Sequence, residues 1–193
     1  MRIHGSKTLR RNPKVAPQNK YDKYKSDLRR DFEGICGYCG KHEMLSHKGM
    51  EIDHFVPLDT DPSRECDYTN LVYSCFTCNR KKSCKWPTGD KTLHNDGQVG
   101  FVDPASVDFD NHLKREADGT IVHRSDVGKY MYKEAFKFNI RPTKEIWKVS
   151  QLHEKRLQLN EIILKANEAD KTKYIEIVLE MDELSKYLFT YDE

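Results

Sequence analysis

The stretch MEIDHFVPL, Met50 to Leu58, decides the fold. Apolar and polar residues alternate through its first half, the period of a half-buried strand. Pro57 cannot donate to a ladder and ends the run. Asp53 and His54 stand side by side just before that end. Neighbours on a regular strand point to opposite faces, so both reach one site only where the strand stops or bends. As a lone dipeptide the pair fits a surface strand terminus as well as it fits a reactive site.

The flanking residues separate these readings. Upstream, ICGYCGK carries Cys36 and Cys39, with Gly37 and Gly40 freeing the backbone for a tight knuckle. Downstream, NLVYSC reads as a second strand from Asn70 and runs into Cys75 and Cys78. Two Cys-x-x-Cys pairs match the tetrahedral thiolate geometry of zinc, and four protein ligands leave no open position for a reactive water, so the metal is expected to be structural. Cys66 and Cys84 remain as free thiols, with Cys84 close enough to Cys78 to stand in as a ligand. The run CNRKKSCKW predicts a helix ending before Pro87. The order is strand, loop, strand, helix, with one cysteine pair before the unit and one inside it.

The 193-residue chain is 37% hydrophobic and 33% charged, which implies a modest core under a large solvated surface. No apolar run approaches the roughly 18 residues of a membrane span, and MRIHGSKTLRR lacks the apolar segment of a secretory signal, so a cytoplasmic location is expected. The net charge of +2 is unevenly spread. Residues 1–20 hold six cations (Arg2, Lys7, Arg10, Arg11, Lys14, Lys20) and no acid, whereas 143–193 hold eight basic and eleven acidic side chains. The first twenty residues read as an extended basic arm that either tracks phosphates or is a soluble tail. Tyr21, Tyr24, Leu28 and Phe32 predict a helix stopping near Gly34, and Asp118-Gly119 predicts a hairpin turn. Two helical patterns, about 143–166 and 171–190, carry Ile146, Val149, Leu157, Ile162 and Ile163, then Ile175, Val178, Leu179 and Leu188. The expected division is an arm at 1–20, a domain at 21–142 with its core at 36–86, and a helical extension at 143–193.

Taken together, Cys36-x-x-Cys39, Glu51-Ile52-Asp53-His54-Phe55-Val56-Pro57, Asn70-Leu71 and Cys75-x-x-Cys78-Asn79-Arg80-x-Lys82 resemble the HNH nuclease family in its zinc-supported form. The resemblance implies an α+β fold, the ββα-metal core. It also implies an endonuclease that hydrolyses phosphodiester bonds of DNA. His54 matches the general base that activates water, and Asp53 the neighbour that binds the catalytic ion. Asn70 matches the central asparagine that holds the interstrand loop. Asn79 stands where many members place a final histidine ligand, as it does in the HNH domains of CRISPR effector nucleases. Oxygen donors from Asp53 and Asn79 suit Mg²⁺ or Mn²⁺ better than a second zinc ion. Arg80, Lys81, Lys82 and Lys85 follow on the same expected helix as nucleic-acid contacts, Lys82 foremost.

The same residues bear on two other functions. A non-catalytic zinc module that docks nucleic acid or protein explains the cysteines and the charge, but not why Asp53, His54, Asn70 and Asn79 fall in register. A zinc deaminase lacks its His-x-Glu element, since Glu43 follows His42 directly. His42 and His47 are expected in a solvated loop, and His94, His112, His123 and His153 show no partner spacing. In size and layout the chain resembles the HNH subunits of bacterial phage-defence pairs, such as Septu-type and retron-associated systems. That implies an ATPase partner docked through the C-terminal helices, which otherwise form a homodimer or pack on the core; a stand-alone nuclease is the remaining option.

Overall fold

A computed structural model describes residues 1–160, 163 and 167–189. The opening stretch forms β1 (Met50–His54), paired antiparallel with β2 (Leu71–Cys75) in a register that sets Met50 opposite Cys75 and His54 opposite Leu71. From Cys75 the chain turns directly into helix α2 (Phe76–Lys82), which packs on both strands and completes a ββα unit. All five residues of β2 are buried, as a strand covered on both faces requires. A two-stranded sheet is marginal alone. Here its core comes largely from outside the hairpin, from Phe32, Tyr38, Phe101 and Phe136.

Upstream, a single 3-10 turn (Tyr21–Tyr24) leads into α1 (Lys25–Asp31), and Tyr24, Leu28 and Phe32 point inward at helical spacing. The helix stops where Glu33 and Gly34 both take positive φ. In the knuckle that follows, Gly37 permits close packing: a Cβ there would lie 2.8 Å from the Phe32 ring and 2.9 Å from Val72.

Downstream of α2, the short helix α3 (Phe109–His112) leads into β3 (Leu113–Arg115), which pairs with β4 (Ile121–His123) in the expected hairpin. Gly119 turns it with φ +100°, and a Cβ there would meet Trp147 at 2.8 Å. Helix α4 (Asp126–Tyr130), capped by the Ser125 hydroxyl, continues as a π turn over Met131–Ala135.

Helix α5 (Thr143–Asn160) lays Ile146 and Val149 on Leu45, and Lys7 pairs with Glu154 at 3.2 Å, so the first C-terminal helix is fixed to the rest of the fold. Helix α6 (Glu168–Phe189) packs on α5 through Met181 and Leu184 and through the Lys148–Glu180 ion pair. It leaves Ile175 and Leu179 exposed, as α5 leaves Leu157, so the apolar positions expected in these helices are only partly used. Ile162, the stretch 164–166, residue 190 and the side chain of Leu188 lie outside the described residues. No helix among the described residues is long and apolar enough to cross a membrane.

The expectation of a free basic arm is corrected. Ile3 and Leu9 are buried in the main core. Arg2 pairs with Asp110, Lys7 with Glu154, and Arg11 donates to both oxygens of Asp103 and to the Leu71 carbonyl. Composition shows the cations; it does not show the acids, about a hundred residues away, that Arg2 and Arg11 meet. Arg10, Lys14 and Lys20 keep exposed side chains.

Candidate active site

The four cysteines of the paired motifs come together, with Cys36, Cys39, Cys75 and Cys78 all buried and their sulfurs within 4.8 Å of one another. The first knuckle is closed by Gly40 N–H donating to Cys36 O, and it is tied to β2 by Gly37 N–H donating to Tyr73 O. Burial pushes the Cys36 and Cys78 thiols well up. Four such sulfurs ionise together only beside positive charge. Arg141 supplies part of it, donating to Cys78 Sγ at 3.3 Å and lying 4.0 Å from Cys39 Sγ. Burial disfavours its own charge, but the thiolates outweigh that and hold its pKa above the ordinary arginine value. The donor set fits zinc. Cys66 and Cys84 lie outside the cluster, so Cys84 is not a substitute ligand.

Asp53, His54 and Asn79 line one open pocket of about 240 Å³, together with Asp59, Ser83 and Cys84. β1 ends at His54, which is how adjacent residues reach a common space. Asn70 lies beneath and is fully buried. Its Oδ1 accepts from Val56 N–H at 2.8 Å and its Nδ2 donates to Val56 O at 3.0 Å, while its own carbonyl accepts from Phe55 N–H. The side chain therefore satisfies both backbone groups of a loop residue two positions after His54.

His54 is half-exposed, with its Nε2 2.9 Å from Glu65 O and its ring edge-on to Tyr21 at 4.9 Å. A carbonyl can only accept, so a neutral imidazole here carries its proton on Nε2 and leaves the lone pair on Nδ1. Asp53 is 5% exposed. Tyr38 donates to its Oδ2 at 2.5 Å, and Lys82 Nζ sits 3.2 Å from Oδ1 and 3.0 Å from Oδ2. Burial raises the Asp53 pKa, against the opposing pull of Lys82 and Tyr38. Asn79 Nδ2 donates to Glu51 Oε2 at 2.6 Å, which leaves Oδ1 as the oxygen available to a cation. One carboxylate and one amide oxygen on a shared pocket fit a hard divalent ion.

The basic run after Cys78 is corrected in two places. Lys82, expected as the foremost phosphate contact, is fully buried and bonds to Asp53 and, at 2.7 Å, to His54 O. Its position three residues after Asn79 turns it under the strands. Lys85 is not on the helix, because α2 ends at Lys82 and Ser83 takes φ +49°. Its ammonium instead donates to the carbonyls of Lys81 and Glu134. Arg80 and Lys81 are exposed; Arg80 pairs with Glu51 and stacks on Phe76. His42 is not simply solvated, since its ring lies tilted at 52° against buried His153, with centroids 4.8 Å apart.

The ββα unit with its four-cysteine cluster is an HNH-type domain, and residues 36–85 match the HNH endonuclease family profile. The chain is also similar to Septu protein PtuB of Bacillus thuringiensis, with 32% identity over 79 residues, or 41% of this chain and 27% of that protein. The match thus spans about a quarter of the relative's length. No solved structure matches the chain.

Sequence reasoning assigned no role to Tyr38, Glu51 or Arg141, all of which touch candidate ligands. Glu51 sits two residues before Asp53 on the same strand face, a signal that period-two reading could have used. Arg141 follows Cys78 by 63 residues and left no trace in spacing.

Proposed function

We propose that this chain is a metal-dependent endonuclease that hydrolyses phosphodiester bonds of DNA, and that it acts in bacterial phage defence. The observation that carries the reading is the convergence of Asp53, His54 and Asn79 on one pocket above the Asn70 buttress. His54 Nδ1 takes a proton from water, and the water oxygen forms the new bond to phosphorus as the bond to the 3′-oxygen breaks. Glu65 O fixes the imidazole so that this nitrogen is the free one. Asp53 and Asn79 Oδ1 would hold Mg²⁺ or Mn²⁺, which supplies charge stabilisation at the scissile phosphate and the departing oxygen. Zinc in the four cysteines is structural. Arg80 and Lys81 are exposed beside the site and suit phosphate contacts. The defence role draws support from the PtuB similarity, and an ATPase partner docked through the C-terminal helices is proposed from the chain's size and layout.

The test is cleavage of plasmid with Mg²⁺ or Mn²⁺ by the wild type and by His54→Ala, each alone and with the proposed ATPase partner added. The expected result is cutting by the wild type and a loss of at least a hundredfold in the variant, the lower range for removing a general base. Equal cutting by both, or none by either in any combination, overturns it. A non-catalytic docking module is favoured by one observation, the engagement of both Asp53 oxygens by Lys82 and Tyr38. That module would bind DNA equally well with His54→Ala and never cut it.

A further inference from the structure

Tyr38, one of the two residues between the cysteines of the first knuckle, supplies no ligand atom to the four-cysteine cluster. Tyr38 is buried, its ring packs on Phe136 with centroids 4.6 Å apart, and its hydroxyl donates to Asp53 Oδ2 at 2.5 Å. It lies in the loop from Cys36 to Cys39, whose sulfurs belong to the four-cysteine cluster and which Gly40 N–H closes by donating to Cys36 O. We infer that Tyr38 is a positioning residue: through its hydrogen bond the zinc knuckle sets the orientation of the Asp53 carboxylate and thereby couples the structural and catalytic cations. The inference rests on the reading of Asp53 as a ligand.

The physical argument concerns which lone pairs stay available. A carboxylate offers about four acceptor positions. Tyr38 and Lys82 occupy positions on both oxygens from fixed, buried sites, so the remaining ones keep a defined direction. Groups that orient a ligand in this way typically affect metal affinity by about 10–100-fold. Tyr38 is held by Cys36 and Cys39, so disordering the knuckle removes the orienting donor. Coupling between two binding sites is reciprocal, so occupation at Asp53 must also favour retention of zinc.

The experiment uses the full chain loaded with one zinc ion, titrated with Mn²⁺ and followed by the electron paramagnetic resonance signal of the free ion. Wild type, Tyr38→Phe and Asp53→Asn are compared. Tyr38→Phe keeps the ring against Phe136 and removes only the donor. The expected result is one Mn²⁺ site in the wild type, none in Asp53→Asn, and at least tenfold weaker binding in Tyr38→Phe at unchanged zinc content. Equal or tighter binding by Tyr38→Phe overturns the positioning role alone. A wild type without a site, or an Asp53→Asn variant that binds as tightly, overturns the ligand reading beneath it as well. A second measurement needs no variant: zinc retained by the wild type at equilibrium with a zinc-selective chelator is expected to rise with saturating Mn²⁺. Unchanged retention overturns the coupling.

Discussion

Replacing Asn70 by alanine tests the buttress beneath His54. The side chain meets two fully enclosed backbone groups, Val56 N–H at 2.8 Å and Val56 O at 3.0 Å, and among the described residues no other side chain is shown bonded to either. Leaving one buried polar group unpaired costs about 1–3 kcal/mol, so two cost roughly 2–6 kcal/mol. For a chain of this size 1 kcal/mol moves the melting temperature by about 2–4 °C, which gives a fall of about 10 °C near the middle of the range. Val56 lies two residues beyond His54, so the released loop should also loosen the imidazole, and cleavage should fall further than the unfolded fraction explains. The assay is a calorimetric melt of the zinc-loaded protein beside single-turnover cleavage at a temperature where the variant remains folded. A destabilisation below 1 kcal/mol, or cleavage at the wild-type rate, would refute the account of Asn70 as the residue that holds the loop.

Three further outcomes are expected. Burial of His4, stacked on the Phe109 ring, lowers its pKa to about 4 from the ordinary 6.5 against the opposing pull of the Gly37 carbonyl, so the unfolded chain binds that proton more readily; the associated stability, on the order of 3 kcal/mol, is full above pH 6.5 and is lost as pH falls toward 4. Denaturant titrations at pH 7 and pH 5 measure the difference, and His4→Gln should flatten it. Arg141→Met removes the guanidinium from Cys78 and Cys39, and competition with a chelator should show zinc affinity reduced by about tenfold or more. Lys82→Met leaves the Asp53 carboxylate buried beside Tyr38 alone, and chemical unfolding should register a loss of about 3–5 kcal/mol, the usual cost of breaking a buried pair.

The ββα order was legible because each part is written locally: alternation through Met50–His54, a proline after it, and cysteine pairs whose spacing is set by one turn of chain. The Asp118-Gly119 hairpin was legible for the same reason, whereas the hold of Asn70 on the loop was implied by the family resemblance alone. The burial of Lys82 is not legible locally, because a cation in a basic run ordinarily points to solvent and this one pairs with a carboxylate reached only after the hairpin folds. The first twenty residues failed in the same way, since Arg11 meets Asp103 across 92 positions. Tyr38 was hidden between cysteines whose meaning absorbed all the attention of the motif. What escaped was, in each case, a long-range pairing of a polar side chain, which no local period encodes.

The dependence of the ββα hairpin on outside aromatics bears on how such units travel between proteins. Phe32, Phe101 and Phe136, which wall its core, and Arg141, which faces its sulfurs, all lie beyond residues 36–85. An excised 36–85 peptide would bind zinc through its thiols yet expose the inner face of β2 to water. This unit is therefore not a transplantable cassette. A recombination event that moved the recognisable motif alone would deliver a metal-binding peptide without a working site, so its inheritance is tied to that of the flanks.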